Sequence, residues 1–253
     1  LAQTILIPVA DGADGKPLAD YLTLFDQAED RKLAAFFVDD MVGPAALSLR
    51  QHWQREQVRE ALEREAQGAS VDFHFLSAAE GHLDWALQTQ LADLLVLVGV
   101  GGREAAPHAQ LDPVRCPVLL SAPWPFCYEH VFIVFDATAS LLTAFKSFLL
   151  FFGTTARHRP VTVLSFVASS TRAIQLEKFF IHHVRSQFSN IGIMPVHPEE
   201  WADVLAHEVQ RAPRALIVLG QRAHHFLPPT PRLPKLPPSA SLYFSNEQHA
   251  SPR

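Results

Sequence analysis

Leu94-Leu95-Val96-Leu97-Val98-Gly99-Val100-Gly101-Gly102 is a continuous apolar run closed by glycines. A run of this length without alternation reads as a strand buried on both faces, the kind found inside parallel sheets. The C-terminal ends of such strands are where open α/β sheets place their ligands. The same pattern returns as Ala215-Leu216-Ile217-Val218-Leu219-Gly220. The echo predicts two copies of one unit, with function sought where each glycine-ended strand stops.

The remaining elements repeat in the same order. In the first copy, strands are expected at Thr4–Val9, Lys32–Val38, Ser70–Leu76, Leu94–Val98 and Pro117–Ser121. Helices are expected from about Pro17 to Asp30, over Gln51–Gln67, and after the capping-box pattern Ser77-Ala78-Ala79-Glu80. In the second copy, strands are expected at His130–Phe135, Val161–Phe166, Ile191–Val196 and Ala215–Leu219. Its helices are Ala139–Gly153, Thr171–Phe188 and Pro198–Ala212, the last opening on proline. Corresponding residues keep nearly constant offsets: Thr4 with Val131, Leu33 with Val161, and Leu94 with Ala215. A period of roughly 120–130 residues means duplicated domains and not a solenoid. Strict strand–helix alternation demands parallel strands with right-handed crossovers and helices on both faces. The seam falls near Pro123-Trp124-Pro125, where the residue before each proline is held extended.

Composition excludes several classes. Apolar residues make up 48% and charged residues 19% of the chain. That balance belongs to a globular protein. Cys116 and Cys127 show neither a disulfide framework nor metal-ligand spacing, and read as reduced thiols of a cytoplasmic protein. Residues 1–126 hold 9 Lys+Arg against 18 Asp+Glu, a net of −9; residues 127–253 hold 12 against 8, a net of +4. Such halves attract each other or the opposite half of a second chain. Neither is basic enough for nucleic acid. No basic flank precedes the first strand, so no signal peptide is expected. Val131–Phe152 carries Asp136 and Lys146 and divides into strand and helix, so no membrane insertion is expected. The chain opens on Leu rather than Met, which leaves open that it is a piece of a longer protein.

Four strings together resemble the universal stress protein family in its tandem form. They are Ile5-Leu6-Ile7-Pro8-Val9, Phe132-Ile133-Val134-Phe135-Asp136-Ala137-Thr138, Leu94–Gly102 and Pro117-Val118-Leu119-Leu120. The resemblance implies an α/β fold of two Rossmann-like domains, each with a five-stranded parallel sheet. It places them at 1–123 and 127–246, followed by a disordered tail at 247–253. It also implies that the halves pair as an intramolecular pseudo-dimer.

Nucleotide-binding members of that family carry Gly-x-x-Gly, nine residues, then Gly-Ser or Gly-Thr, which brings backbone amides and a helix N-terminus to the phosphates. Gly99 and Gly102 supply the first pair, but Asp112-Pro113 stands where the second should be. The second copy keeps Gly220 and has Ala223 three positions on. Prolines 107 and 113, and the run from Pro228 to Pro238, leave no room for the helix that follows the motif. At the adenine end, Asp136 matches the family's strand-one Asp, Asp11 is its displaced counterpart, and Val38 is the position whose backbone would meet a base. The resemblance therefore implies no cofactor, with ATP or another adenine nucleotide bound weakly or not at all.

No P-loop, H-E-x-x-H or G-x-S-x-G occurs. His182-His183 point in different directions on a helix and make a poor chelator. Arg222, His224 and His225 lie past Gly220 and are candidates for an anion or zinc site. Asp39-Asp40 reads as a strand-end turn. The helix 139–153 carries Leu141, Leu142, Phe145, Phe148 and Phe152 on more than one face, which fits either core packing or a homodimer or other protein contact. The proline run 228–238 is expected to cover sheet surface as an extended strap. The reading is a non-catalytic protein of stress response or sensing. The alternatives are a regulatory domain of a membrane transporter and an enzyme using an adenine nucleotide.

Overall fold

A computed structural model of the chain describes residues 3–9, 31–37, 49–68, 72–76, 85–98, 114–121, 128–166, 170–212, 214–220 and 240–245. It divides into two compact units: Leu1–Cys116 with Pro123–Phe126, and Pro117–Ala122 with Cys127–Arg253.

In the first unit, β1 (Gln3–Val9), β2 (Arg31–Phe37), β3 (Asp72–Phe75) and β4 (Leu94–Val98) lie in the order β3-β2-β1-β4, all parallel. Leu94, Leu95 and Val96 are fully buried, as a two-faced strand requires. Thr4 donates its N–H to Asp93 Oδ2 (2.8 Å) while the Asp93 N–H donates to the Thr4 carbonyl (2.8 Å), which pins the start of β4 to β1. The helix α1 (Leu49–Gly68) buries Leu62 and Ala66 and exposes most of its charges, as its spacing predicts. Arg55 of α1 is buried with its guanidinium 4.5 Å from the centre of the Phe37 ring, a cation–π contact. A short helix α2 (Trp85–Leu91) leads into β4. Burial pushes the Cys116 thiol up to about 12. The thiol therefore stays protonated and inert at neutral pH.

In the second unit, β6 (His130–Phe135), β7 (Pro160–Phe166), β8 (Asn190–Val196) and β9 (Ala215–Leu219) repeat this arrangement, with β9-β6-β7-β8 parallel. Glu129 N–H donates to the Arg214 carbonyl (2.8 Å), and Arg214 pairs with the Glu129 carboxylate (3.2 Å), an ion-paired counterpart of the Thr4–Asp93 tie. Val218 is fully buried, like Val96 in the first copy, which supports the duplication. Two strands follow whose partners sequence does not announce. β10 (Ser241–Phe244) lies parallel to β9, and β5 (Val118–Ser121), the last strand of the first sequence copy, runs antiparallel to β10 with Tyr243 opposite Leu119. The described strands therefore divide four and six between the units, and the fifth strand of the first copy falls in the second.

Helix α3 (Ala139–Ala156) answers the question posed by its composition. Leu141, Ala144, Phe145, Phe148, Phe151, Phe152 and Ala156 form one buried stripe, and Lys146 faces solvent. Phe148 and Phe152 meet the Tyr243 ring edge-on, with centroids at 6.0 and 5.9 Å. That is a favoured arrangement of aromatic quadrupoles. Ser147 Oγ pairs with Tyr243 Oη, and Thr155 Oγ1 with Tyr128 Oη, both at 2.6 Å. The helix's hydroxyls thus serve the phenols of the core. α3 is long and apolar enough to cross a membrane by length and composition, but here it is the core helix of the second unit. Beside it α4 (Thr171–Gln187) places Phe180 against Phe135 (4.6 Å) and Phe145 (5.0 Å). α5 (Trp201–Arg211) buries Trp201, Leu205 and Val209. It begins after Pro198 and not on it, because His197–Glu200 first form a turn closed by Glu200 N–H to the His197 carbonyl (3.0 Å).

His130, half-buried, stacks on Phe132 (4.3 Å) and shares a hydrogen bond with Thr162 Oγ1 (2.8 Å). Burial lowers its pKa, against a smaller opposing pull from Glu208. In the unfolded chain the imidazole takes up a proton near pH 6.5, in the fold only at lower pH. Between those two values the unfolded state binds more protons, so stability falls as pH drops below about 6.5 and levels off below the folded pKa. Melting curves of the wild type between about pH 7.5 and 5.5 should show that slope, and His130→Gln should flatten it.

Candidate functional site

The residues that carry chemistry meet where β6 turns into α3. Three residues make the turn. Asp136 follows the strand, Ala137 adopts a left-handed φ of 58°, and Thr138 is the helix N-cap. Left-handed backbone costs a residue with a Cβ roughly 1–2 kcal/mol. Here it accompanies a carboxylate turned back onto its own chain: Asp136 Oδ1 accepts from the Thr138 N–H (3.0 Å) and from the Thr138 hydroxyl (2.6 Å). Such local bonds are what let an Asp hold a turn. Ala137→Gly should therefore raise stability by about 1 kcal/mol in urea melts. A lower midpoint would mean that this backbone is not strained.

The Thr138 hydroxyl has one proton, and Asp136 takes it. Ser140 Oγ, 3.0 Å away, is then the donor of its own bond to Thr138, and the Leu141 N–H donates the cap bond (3.3 Å). A short relay runs Ser140 to Thr138 to Asp136. It leaves Thr138 without a lone pair for attack on an electrophile, so the group reads as a positioning device rather than a nucleophile and its base.

β9 lies beside β6, and its C-terminal end brings Gly220 onto the same turn. A Cβ at Gly220 would stand 2.9 Å from Thr138 Oγ1, 3.1 Å from Asp136 Oδ2 and 3.1 Å from the Leu141 nitrogen. Only glycine lets the strand end come this close. The other carboxylate oxygen, Asp136 Oδ2, is buried, and no hydrogen-bond donor among the described residues reaches it. A buried acceptor without a donor is rare enough to call for an explanation.

Of the candidate residues, the structure brings Asp136 and Gly220 together although they stand far apart in the chain. Asp11, Val38, Gly99, Gly102, Arg222, His224 and His225 lie outside the described residues, as do the segments 103–113 and 228–238. Thr138 and Ser140 had no assigned role. The signal that could have found Thr138 is a threonine just before the apolar run from Leu141, the mark of an N-cap. His182 and His183 lie on α4, with the His183 ring edge-on to Phe145 at 6.0 Å. No three His, Cys, Asp or Glu side chains among the described residues are grouped to hold a metal.

No protein-family model matches the chain, and no curated protein does. Solved structures do. A universal stress protein from Archaeoglobus fulgidus DSM 4304 superposes with a TM-score of 0.60 at 10% identity, covering 95% of this chain and 97% of that one. A protein of Pseudomonas aeruginosa UCBPP-PA14 assigned to the universal stress proteins gives 0.59 at 12% identity, over 95% and 92%. The cytoplasmic domain of a prokaryotic cation chloride cotransporter gives 0.50 at 13% identity, over 97% and 96%. At these identities the likeness is one of architecture, and the architecture of this chain is that of the universal stress proteins.

Proposed function

We propose that the protein is a non-catalytic regulator that reads a small polar ligand at the end of the second unit's sheet and draws little binding energy from phosphate. The observation that carries this is Asp136 Oδ2, a buried carboxylate oxygen that no donor among the described residues reaches, held at the C-terminal edge of parallel strands. A ligand hydroxyl or amino group is the natural complement of such an acceptor. The Thr138 hydroxyl, consumed by its cap and by Asp136, supports binding over catalysis. A role in stress response is the extension that the fold likeness suggests.

Calorimetry with adenosine and with ATP tests the reading. ATP is expected to bind no tighter than about 10 μM, roughly −7 kcal/mol. Adenosine should fall within about threefold of it, and Asp136→Asn should weaken both. ATP binding below about 10 μM, with adenosine far weaker and loss on Gly102→Val, would show a working phosphate cradle and overturn the proposal.

A second reading is favoured by one observation: a transporter's cytoplasmic domain matches end to end, over 97% of this chain. In that case the same fold serves as the regulatory part of a larger membrane protein. Encoded apolar helices upstream of Leu1 would favour it.

A further inference from the structure

β8 is the outermost strand of the second unit: β7 bonds one of its sides, and no described strand lies along the other. Its seven residues, Asn190-Ile191-Gly192-Ile193-Met194-Pro195-Val196, carry no charge. The matching edge of the first unit is guarded. β3 has four residues, and Asp72 among them is charged and paired with Lys32 (3.4 Å). Proteins blunt strand edges with shortness, charge or proline, and of these β8 has only Pro195.

The flank of α4 beside that edge has a matching chemistry. Ser165 turns toward α4, since its hydroxyl donates to Glu177, the helix's one carboxylate (2.5 Å). Val161 and Val163 share its face by alternation, and opposite these three lie Ile191, Ile193 and Pro195 of β8. Ile193 is 37% exposed and Pro195 is exposed too, so α4 leaves them uncovered. On α4, Ile174, Lys178, Ile181 and Arg185 recur three and four residues apart and form one stripe. Ile181 is half-buried and the other three are exposed. The stripe lies across the helix from His183, whose ring meets Phe145 of α3. α3 sits over Tyr243 of β10, so the stripe is on the β8 side.

We infer that β8 receives an added strand: an extended segment of a partner protein, with apolar and acidic residues taking turns on one of its faces. Side chains on one face of a strand stand about 6.7 Å apart, and successive members of the α4 stripe about 4.5–6 Å. Four alternate residues of the segment therefore meet Ile174, Lys178, Ile181 and Arg185 in turn. The expected motif is apolar-x-acidic-x-apolar-x-acidic, read in the direction of α4 and so antiparallel to β8. Main-chain bonds to the edge supply affinity, and the stripe supplies selectivity. A second copy's β8 fits poorly, because pairing about a two-fold axis would set Lys178 and Arg185 against their own copies. Two cations also fall short of the roughly four to eight that hold a segment on anionic lipid.

The probe is a labelled, end-capped peptide, valine-threonine-glutamate-threonine-valine-threonine-glutamate, read by fluorescence anisotropy on the full chain. Binding is expected at about 10–300 μM in roughly 50 mM salt, and several-fold weaker in roughly 500 mM. Methylating the amide nitrogens of one alternate set of its residues should abolish binding, and methylating the other set should spare it. The reason is that a strand bonds its neighbour through alternate residues. Lys178→Glu with Arg185→Glu should raise the Kd at least about tenfold. A peptide with lysine for both glutamates should bind that variant to within about threefold of the original pair, because the charges match in reversed sense. Ile193→Ser, which leaves charge untouched, should raise the Kd about threefold or more and serves should the charge-reversed chain not fold. Equal effects of the two methylated sets, indifference to the charge reversal or to Ile193→Ser, or no recovery with the lysine peptide would each overturn the inference. So would no binding at about 1 mM, or self-association or retention by phosphatidylserine vesicles in place of peptide binding.

Discussion

Gly220→Val should cost the second unit roughly 3 kcal/mol or more, at the upper end of overpacking substitutions. The reason is the nature of the three nearest atoms. Thr138 Oγ1 at 2.9 Å and Asp136 Oδ2 at 3.1 Å belong to side chains already locked to each other, and the Leu141 nitrogen at 3.1 Å is helix backbone. Relief therefore requires α3 to move as a body, with Phe145, Phe148 and Phe152 behind it. Gly220→Ala should be milder, about 1–3 kcal/mol. Thr138→Ala alone should cost about 1 kcal/mol through loss of the cap. In the Gly220→Ala background it should cost less, because it removes the shortest contact. Urea melts of the four proteins give the coupling, expected at about 0.5 kcal/mol or more in that direction. Strict additivity would mean that Gly220 and Thr138 do not meet.

Phe148→Asp should abolish folding of the second unit. Truncating a buried Phe costs about 3–5 kcal/mol, and a carboxylate in its place adds the desolvation of an unpaired charge. Phe148 is fully buried between Phe145, Phe152, Phe188 and Tyr243, so nothing of it remains for a partner. Of the helix's apolar residues Leu150 does reach solvent, at 57% exposure. Leu150→Asp should change stability by no more than about 0.5 kcal/mol, as surface substitutions do. Circular dichroism separates the two. A folded Phe148→Asp protein, or a collapsed Leu150→Asp protein, would reverse which side of α3 faces the core.

What sequence could and could not tell follows from range. β4 and β9 were legible because a strand buried on both faces writes its environment into every residue, as Leu94–Leu97 and Ala215–Leu219 do. α1 was legible because its charges recur at helical spacing. The direction of α3's apolar face was not. Phe145, Phe148 and Phe152 read as excess until Tyr243, far along the chain, is seen against two of them. The pairing of β5 escaped for the same reason, since strand order is set by partners and not by the strand itself. At the site, Asp136 and Gly220 were each visible as single residues. Their approach was not, because it depends on the left-handed turn at Ala137, a conformation that alanine does not advertise. Asp11, Val38, Gly99 and Gly102 rested on the likeness to a family motif, and they lie outside the described residues.

The placement of β5 bears on how this protein can be taken apart. Its segment, Pro117–Ala122, belongs with the second unit although it precedes the seam that the sequence suggests. Expression of residues 127–253 alone would strip Leu119 and Leu120 from beside Tyr243 and Leu242. That leaves the uncharged strand Ser241-Leu242-Tyr243-Phe244 with an open row of amide and carbonyl groups, a template for adhesion between molecules. A fragment beginning at residue 117 keeps those pairs. The shorter piece should precipitate more readily than the longer one, so a gene split for reassembly or fusion is better cut before Pro117 than after Trp124.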